Sequence, residues 1–439
     1  MADMSRWFSR SRESAAASIR ISISAPLPST RFSRTVSEDA VRLRKFLVLA
    51  MATATLSTAG CGGDDNTSSP GIDVTKIDSG NFQAMPWDVE KTRTQLTGVA
   101  LEDVRISNSM ALPFEIDGRY PYQRLVSPER RVTASTLPEI HSLSTEEVRE
   151  LSAGFIAGAD TSAERRQISP LLSSYIEMTA LRFPDAAQAA AATLRIADRQ
   201  ATNLPGETLQ VPDFPQARAK WSASKKYMDA WLTQDAMVLY VHIGDPANDP
   251  PDLAALLGLV RHAFAGQTER LKGYTPTPAD QLGSLPMDTD GLLSRTLPWD
   301  TQQQRNKQWD QSAIMPPQTA LHFDMRPALT KAAFDDAGVD LVAYAQSRIY
   351  RTRDSAAAAR LVSALIDQRS EGWQPMDSPP NMPGVRCVTT KPMSFGADRY
   401  PPTCFPTYGK LVAQVAGKNV QELQQKAAAQ YKLLAYGDA

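Results

Sequence analysis

The stretch Ser174 to Asp198, S-Y-I-E-M-T-A-L-R-F-P-D-A-A-Q-A-A-A-A-T-L-R-I-A-D, decides the fold. Ser174 to Phe183 alternates with the period of a strand. Pro184 interrupts the pattern, and Asp185 stands where a carboxylate satisfies the free amides of a helix start and favours its dipole. The alanine-rich helix that follows runs about 15 residues and directs Leu194 and Ile196 at a sheet. The pattern returns at an offset of 169, which pairs Tyr175 with Tyr344, Asp185 with Asp354, Ala187 with Ala356, Ala189 and Ala190 with Ala358 and Ala359, and Asp198 with Asp367. Leu341 to Tyr350 then reads as the second strand, and Leu361, Val362 and Leu365 as the apolar face of the second helix.

Each unit continues with a second half. Met237 to Ile243 reads as a buried strand, followed by a helix bearing Leu253, Leu256, Leu257, Val260 and Phe264 on one face. In the second copy Lys410 to Val415 is the strand and Val420 to Leu434 the helix, with Asn419 and Glu422 at capping-box spacing. The expected fold class is α+β: two related modules, each a mainly antiparallel sheet covered on one face by helices. The first module spans 74–273. It includes an N-terminal helical extension, with a capping box at Ser144 to Glu147 and Val148, Leu151 and Phe155 on the apolar face. Residues 274–317, rich in Pro, Gln, Asp and Thr, read as a linker. The second module spans 318–439.

Upstream, V-R-L-R-K-F-L-V-L-A-M-A-T-A-T-L-S-T-A-G-C (Val41 to Cys61) has a basic start, an apolar run and small residues before a cysteine, the pattern of a lipoprotein signal peptide (41–60). Thr58 stands where leucine is usual. The run is shorter than the roughly 18 to 20 residues of a membrane-crossing helix. Cys61 is therefore the expected lipidation site (palmitate), residues 61–73 a flexible tether, and the location extracytoplasmic, lipid-anchored to the cell membrane. Residues 1–40, rich in Ser, Arg and Ala, read as disorder or as an extension upstream of a true start at Val41. After cleavage the chain holds 38 basic and 44 acidic residues, a net of −6, which argues against a nucleic-acid partner. With Cys61 acylated, Cys387 and Cys404 form an even pair in an oxidising compartment and are expected to be bonded; a zinc site there would need further ligands, and no histidine lies near.

The sequence has no G-x-S-x-G, P-loop, G-x-G-x-x-G or H-E-x-x-H motif. His141, His242, His262 and His322 are scattered singly and read as packed or surface residues, so no metal site and no cofactor are expected. His322-Phe-Asp324 has the spacing to orient an imidazole, without an identifiable nucleophile. Asp245, Asp249 and Asp252 lack the glycine and terminal glutamate of a calcium loop and read as a solvated helix start. Trp87, Trp299 and Trp373, in loop-like segments, are the ligand-binding candidates: rings tucked over the core or, if they converge, a groove for a glycan, lipid or peptide.

The lipobox, I-D-S-G-N-F (Ile77 to Phe82), G-F-I-A-G (Gly154 to Gly158), A-G-V-D (Ala337 to Asp340), I-Y-R-T-R-D (Ile349 to Asp354) and the late cysteine pair together resemble an uncharacterised family of exported actinomycete lipoproteins. That resemblance implies an envelope location and two α+β modules, and it carries no activity. The second module is also loosely similar to extracellular sensor domains of mycobacterial serine/threonine kinases, which suggests ligand sensing by analogy. The expected function is non-catalytic binding of an envelope ligand or protein. The alternative is an envelope hydrolase acting on cell-wall or lipid substrates. A deep pocket with two perturbed titratable groups in hydrogen-bond reach favours the hydrolase.

Overall fold

The computed structural model describes residues 71–124, 131–132, 137–166, 173–299, 312–369, 372–391 and 401–437. The calls on 1–40, on the signal peptide and on Cys61 fall outside them. No helix among the described residues is long and apolar enough to cross a membrane.

The first module opens with α1 (Gln95–Asn108), α2 (Pro113–Ile116), β1 (Tyr122–Gln123), β2 (Arg131–Val132) and α3 (Thr145–Leu151). Then come β3 (Ala157–Glu164), β4 (Tyr175–Arg182), α4 (Ala186–Asn203), β5 (Glu207–Val211), β6 (Phe214–Ser222), β7 (Tyr227–Gln234), β8 (Met237–Gly244) and α5 (Leu253–Leu271). The strands pair antiparallel in the order β1-β3-β4-β8-β7-β6-β5, with β2 beside β3. Asp185 caps α4, its carboxylate accepting from the Gln188 amide at 2.8 Å.

The two faces of this sheet have separate cores. Ile176, Met178, Ala180, Leu239, Val241 and Ile243 pack under Val260 and Phe264 of α5. Leu181, Trp231, Val238 and Tyr240 pack under Ala189, Ala192 and Ile196 of α4. The helical cover of the first sheet therefore extends to both faces, as alternating side chains on central apolar strands require. Leu194, read as a core residue, is 51% exposed. The helical period selects Ala189, Ala192, Ile196 and Gln200 instead.

The second module contains β9 (Ala313–Met315), α6 (Pro317–Leu321), α7 (Pro327–Ala337), β10 (Leu341–Tyr344), β11 (Arg348–Arg351), α8 (Ser355–Asp367) and β12 (Trp373–Met376). It ends with β13 (Arg386–Thr390), β14 (Thr403–Phe405), β15 (Thr407–Tyr408), β16 (Leu411–Ala416) and α9 (Val420–Leu434). The order is β9-β10-β11-β16-β14-β13-β12, with β15 beside β16 and every pair antiparallel. This repeats the first path: a strand pair, a helix, a run of strands returning to the centre and a closing helix. Asp354 caps α8 as Asp185 caps α4, accepting from the Ala357 amide at 2.7 Å. Leu341 to Tyr350, read as one strand, is the hairpin β10–β11. The turn Ala345-Gln346-Ser347 keeps the alternation of its flanks and contains no Gly or Pro, so it carries no turn signal.

Two boundaries also differ from the sequence reading. The described parts of 274–317, residues 274–299 and 312–317, are packed rather than a free linker: Leu282, Met287, Leu292, Leu293 and Leu297 are buried, and Ala313–Met315 is a strand of the second sheet. Irregular spacing of these anchors hides them from periodicity. The opening segment, assigned to the first module, packs instead on α9 of the second, where Ile77 and Phe82 join Leu423, Ala427 and Tyr431. Helix α1 serves both cores, through Ile106 to the first and Leu101 and Val104 to the second. Its buried Glu102 accepts from Arg182 Nη1 at 2.6 Å and Thr277 Oγ1 at 2.7 Å, tying α1, β4 and the 274–317 segment together.

Candidate functional site

Cross-strand register on the α4 face of the first sheet aligns a polar row. Ser162 on β3 lies opposite Glu177 on β4, Glu177 opposite His242 on β8, and His242 opposite Asp229 on β7. His141, just before α3, covers this row, its ring stacked on that of His242 with centroids 3.6 Å apart and planes 12° off parallel. His141 Nε2 is 3.1 Å from Glu177 Oε2, while Arg124 donates through Nη1 to Glu177 Oε1. His242 Nδ1 lies 2.8 Å from Asp229 Oδ1, and its Nε2 lies 3.2 Å from the Tyr175 hydroxyl.

Supporting contacts hold these groups in place. Asp229 Oδ1 also accepts from the Tyr240 hydroxyl at 2.5 Å and from Gln200 Nε2 at 3.1 Å. The Gln200 amide is fixed in turn by Trp231 Nε1, which donates to its Oε1 at 2.8 Å, and Gln200 Nε2 reaches the His141 carbonyl at 3.0 Å. The guanidinium of Arg124 lies 3.7 Å above the Tyr175 ring. Gly244 gives that ring room: a Cβ there would come within 2.2 Å of it.

Burial and charge act in opposite directions here. Burial pushes the Glu177 carboxyl up, but the His141 hydrogen bond and the charges of His242, His141 and Arg124 outweigh it and hold the pKa at about 2. Burial pushes the His141 imidazole down, and the Glu177 carboxylate overcomes this and raises it above the ordinary value. Burial, reinforced by Tyr227, pushes the Tyr175 phenol well up. His242 is fully buried, whereas the side chains of His141, Glu177 and Arg124 keep 17%, 14% and 16% exposure, so the row opens to solvent from the His141 side.

The reading of the histidines as scattered singly fails for this pair, because sheet register and the loop before α3 join positions far apart in sequence. The available signals were two polar residues in otherwise apolar strand runs, Glu177 and His242. The other two histidines stand apart: His262 is exposed beside Arg261, and His322 is buried with Nε2 3.0 Å from the Ser107 carbonyl. Asp324 accepts from the Arg326 amide at 2.8 Å. Asp252 caps α5, accepting from the Ala255 amide at 3.0 Å, and Asp245 is buried between Ser174 and Asn248. Around these two aspartates lies a cavity of about 340 Å³ whose lining includes Arg119, Arg165 and Asn248.

The three tryptophans are placed as follows. Trp87 and Trp373 are half-buried against the second core, with the Arg369 guanidinium 4.3 Å above the Trp373 ring. Trp299 lies 6.4 Å from the Tyr344 ring, and none of the three lines the 340 Å³ cavity. Cys387 and Cys404 are disulfide-bonded, opposite one another on β13 and β14 and packed beneath α9.

The second module does not repeat the site. In the first, Thr179 pairs with Tyr240; its counterpart Arg348 pairs with Gln414. There the pairing ends: Gln346, which the 169-residue offset aligns with Glu177, lies in the β10–β11 turn, and Ala416 pairs with Thr403 on β14.

Residues 89–287 match the family described as Domain of unknown function (DUF7373) N-terminal, and residues 292–437 match its C-terminal counterpart. The division between the two matches falls inside the packed stretch 274–299. Among solved structures the chain is similar to the crystal structure of the extracellular domain of PknH from Mycobacterium tuberculosis, with 14% identity over 43% of this chain and 98% of that one and a TM-score of 0.23. No curated protein matches in sequence. Two consecutive matches that together span most of the chain, with the polar row inside the first, show that this protein carries the N-terminal and C-terminal domains of the DUF7373 family.

Proposed function

We propose that the chain is an exported, lipid-anchored envelope protein that binds a small ligand or a protein partner without catalysis, through the polar row of its first module. One observation carries the binding reading: the row Glu177, His242, Asp229 with His141 and Arg124 is present in one copy of a duplicated topology, while in the other copy the strand pairing stops at Arg348 and Gln414, and Gln346, the counterpart of Glu177, lies in the β10–β11 turn. Partly buried ionisable groups whose pKa values are shifted by specific charge partners mark a candidate site.

The chemistry of the row favours binding over turnover. A carboxylate held at about 2 is too weak a general base at neutral pH, where the useful range lies near the working pH. The phenol on His242 Nε2 is shifted away from ionisation by burial, which disfavours it as a nucleophile. The perturbed pair His141 and Glu177 is a stabilised ion pair. Export is supported by the Cys61 motif together with the buried Cys387–Cys404 disulfide, a bond that persists in oxidising compartments.

Two measurements test this. A palmitate analogue fed to expressing cells should label the wild-type protein, and Cys61→Ala should abolish the label; a label retained by the variant overturns lipid anchoring. Crosslinking in intact envelopes, followed by extraction of bound glycans, lipids and proteins, should yield an adduct that His141→Ala loses. An adduct profile unchanged in that variant overturns the assignment of the row.

A further inference from the structure

We infer that His141, Glu177 and His242 form a binding site for a divalent transition-metal ion, with zinc the best match to two imidazole nitrogens and one carboxylate oxygen. The inference rests on reading the polar row as a binding site and names its ligand class. One donor atom from each of the three residues falls within 4.8 Å of the other two. Ligands around tetrahedral zinc at about 2.1 Å stand about 3.4 Å apart, so the widest pair must close by about 1.4 Å, within the reach of side-chain rotation.

The surroundings match what such a site requires. Metal-binding histidines usually donate their other ring nitrogen to a carboxylate, which fixes ring and tautomer. His242 has this arrangement: Asp229 holds Nδ1 at 2.8 Å, and Tyr240 and Gln200 hold Asp229, while Nε2, 3.2 Å from the Tyr175 hydroxyl, is the donor that an ion would take from that hydroxyl. Glu177 has one oxygen on Arg124 and the other, Oε2, on His141 Nε2. An ion bridging these two atoms takes the place of the proton between them and releases it to solvent. Two donors sit on central strands, and the backbone of the third is tethered by Gln200 Nε2 to the His141 carbonyl, so the backbone is fixed and only the side chains need to rotate.

One strand further along, on the same face, Glu164 is 1% exposed and its Oε1 has no hydrogen-bond partner among the described residues. It lies opposite Tyr175 in the register. Borderline nitrogen and oxygen donors suit zinc better than calcium or magnesium, which take oxygen sets. Three protein ligands leave a fourth position for water or for an oxygen of a bound partner. Coordination requires in-plane lone pairs, so loading must splay the stacked rings of His141 and His242.

The test uses the full chain, stripped with EDTA, dialysed, and titrated with Zn²⁺ alone by calorimetry, with metal content measured on the loaded protein. The expected result is one ion per chain, with affinity at least about tenfold lower in His141→Ala and in Glu177→Gln and unchanged in His262→Ala. Thermal melting verifies that each variant folds; His141 and Glu177 are chosen because His242 is fully buried. Co²⁺ in place of Zn²⁺ should give visible bands of a low-coordinate site that His141→Ala removes. Absence of one equivalent of Zn²⁺, or equal affinity in wild type, His141→Ala and Glu177→Gln, overturns the inference. If zinc fails while His141→Ala still loses the envelope adduct, only the metal assignment falls. If zinc binds as expected while the adduct is unchanged, the metal site stands and the broader reading of the row falls.

Discussion

His322 illustrates how a single buried side chain couples this fold to pH. Burial lowers its pKa from 6.5 to about 4, and its Nε2 is 3.0 Å from the Ser107 carbonyl at the end of α1. Between those two values the unfolded chain takes up a proton that the folded chain refuses, so stability is full above pH 6.5 and falls as pH drops toward 4. The loss over that window is about 3 kcal/mol. Urea unfolding at pH 7 and pH 4.5 should show it, and His322→Gln should reduce the difference by most of that amount. An equal pH slope in both proteins would refute the assignment. His322 was visible in the sequence as a lone histidine, but its environment depends on α1, more than two hundred residues earlier, and no local pattern reports such a contact.

At the scale of elements, the capped helices were the most legible parts. Asp185 and Asp354 precede alanine-rich runs, and a side-chain acceptor three residues before a free amide is a local interaction. Turns without Gly or Pro and anchors without period were not legible, which is why β10–β11 was read as one strand and 274–317 as a linker. Gly98 tests the packing of that segment. A Cβ at this position of α1 would lie 2.0 Å from the Leu282 carbonyl oxygen, part of a 3-10 turn at Ala279–Ser284. Helix propensity alone predicts that Gly98→Ala stabilises by about 1 kcal/mol. Overpacking against backbone costs about 1 to 3 kcal/mol, and at this separation it dominates. The variant should therefore melt below wild type; a higher melting temperature would mean that α1 and Leu282 are not in contact.

For the whole molecule, the duplicated path places both sheets between helices, and α1 contributes to both cores. The Cys387–Cys404 bond closes a short loop, 17 residues in sequence separation, under α9 in the second module. Its removal in Cys387→Ala/Cys404→Ala should lower unfolding stability by about 3 kcal/mol in the loop-entropy account. Equal denaturant midpoints for variant and wild type would show that the bond does not constrain the chain. The sequence by itself determined what short-range physics encodes: strand alternation, helix caps, the repeat at 169, the signal-like Val41 to Cys61 and the even cysteine pair. Only the tertiary structure decided which strands neighbour one another, and hence the candidate site. Side chains from β4, β7 and β8 meet because antiparallel register aligns them, and His141 joins them because the chain before α3 folds over that face. Such juxtaposition is fixed by the packing of the whole sheet, so positions as distant as 141, 177, 229 and 242 carry no local sign that they will touch.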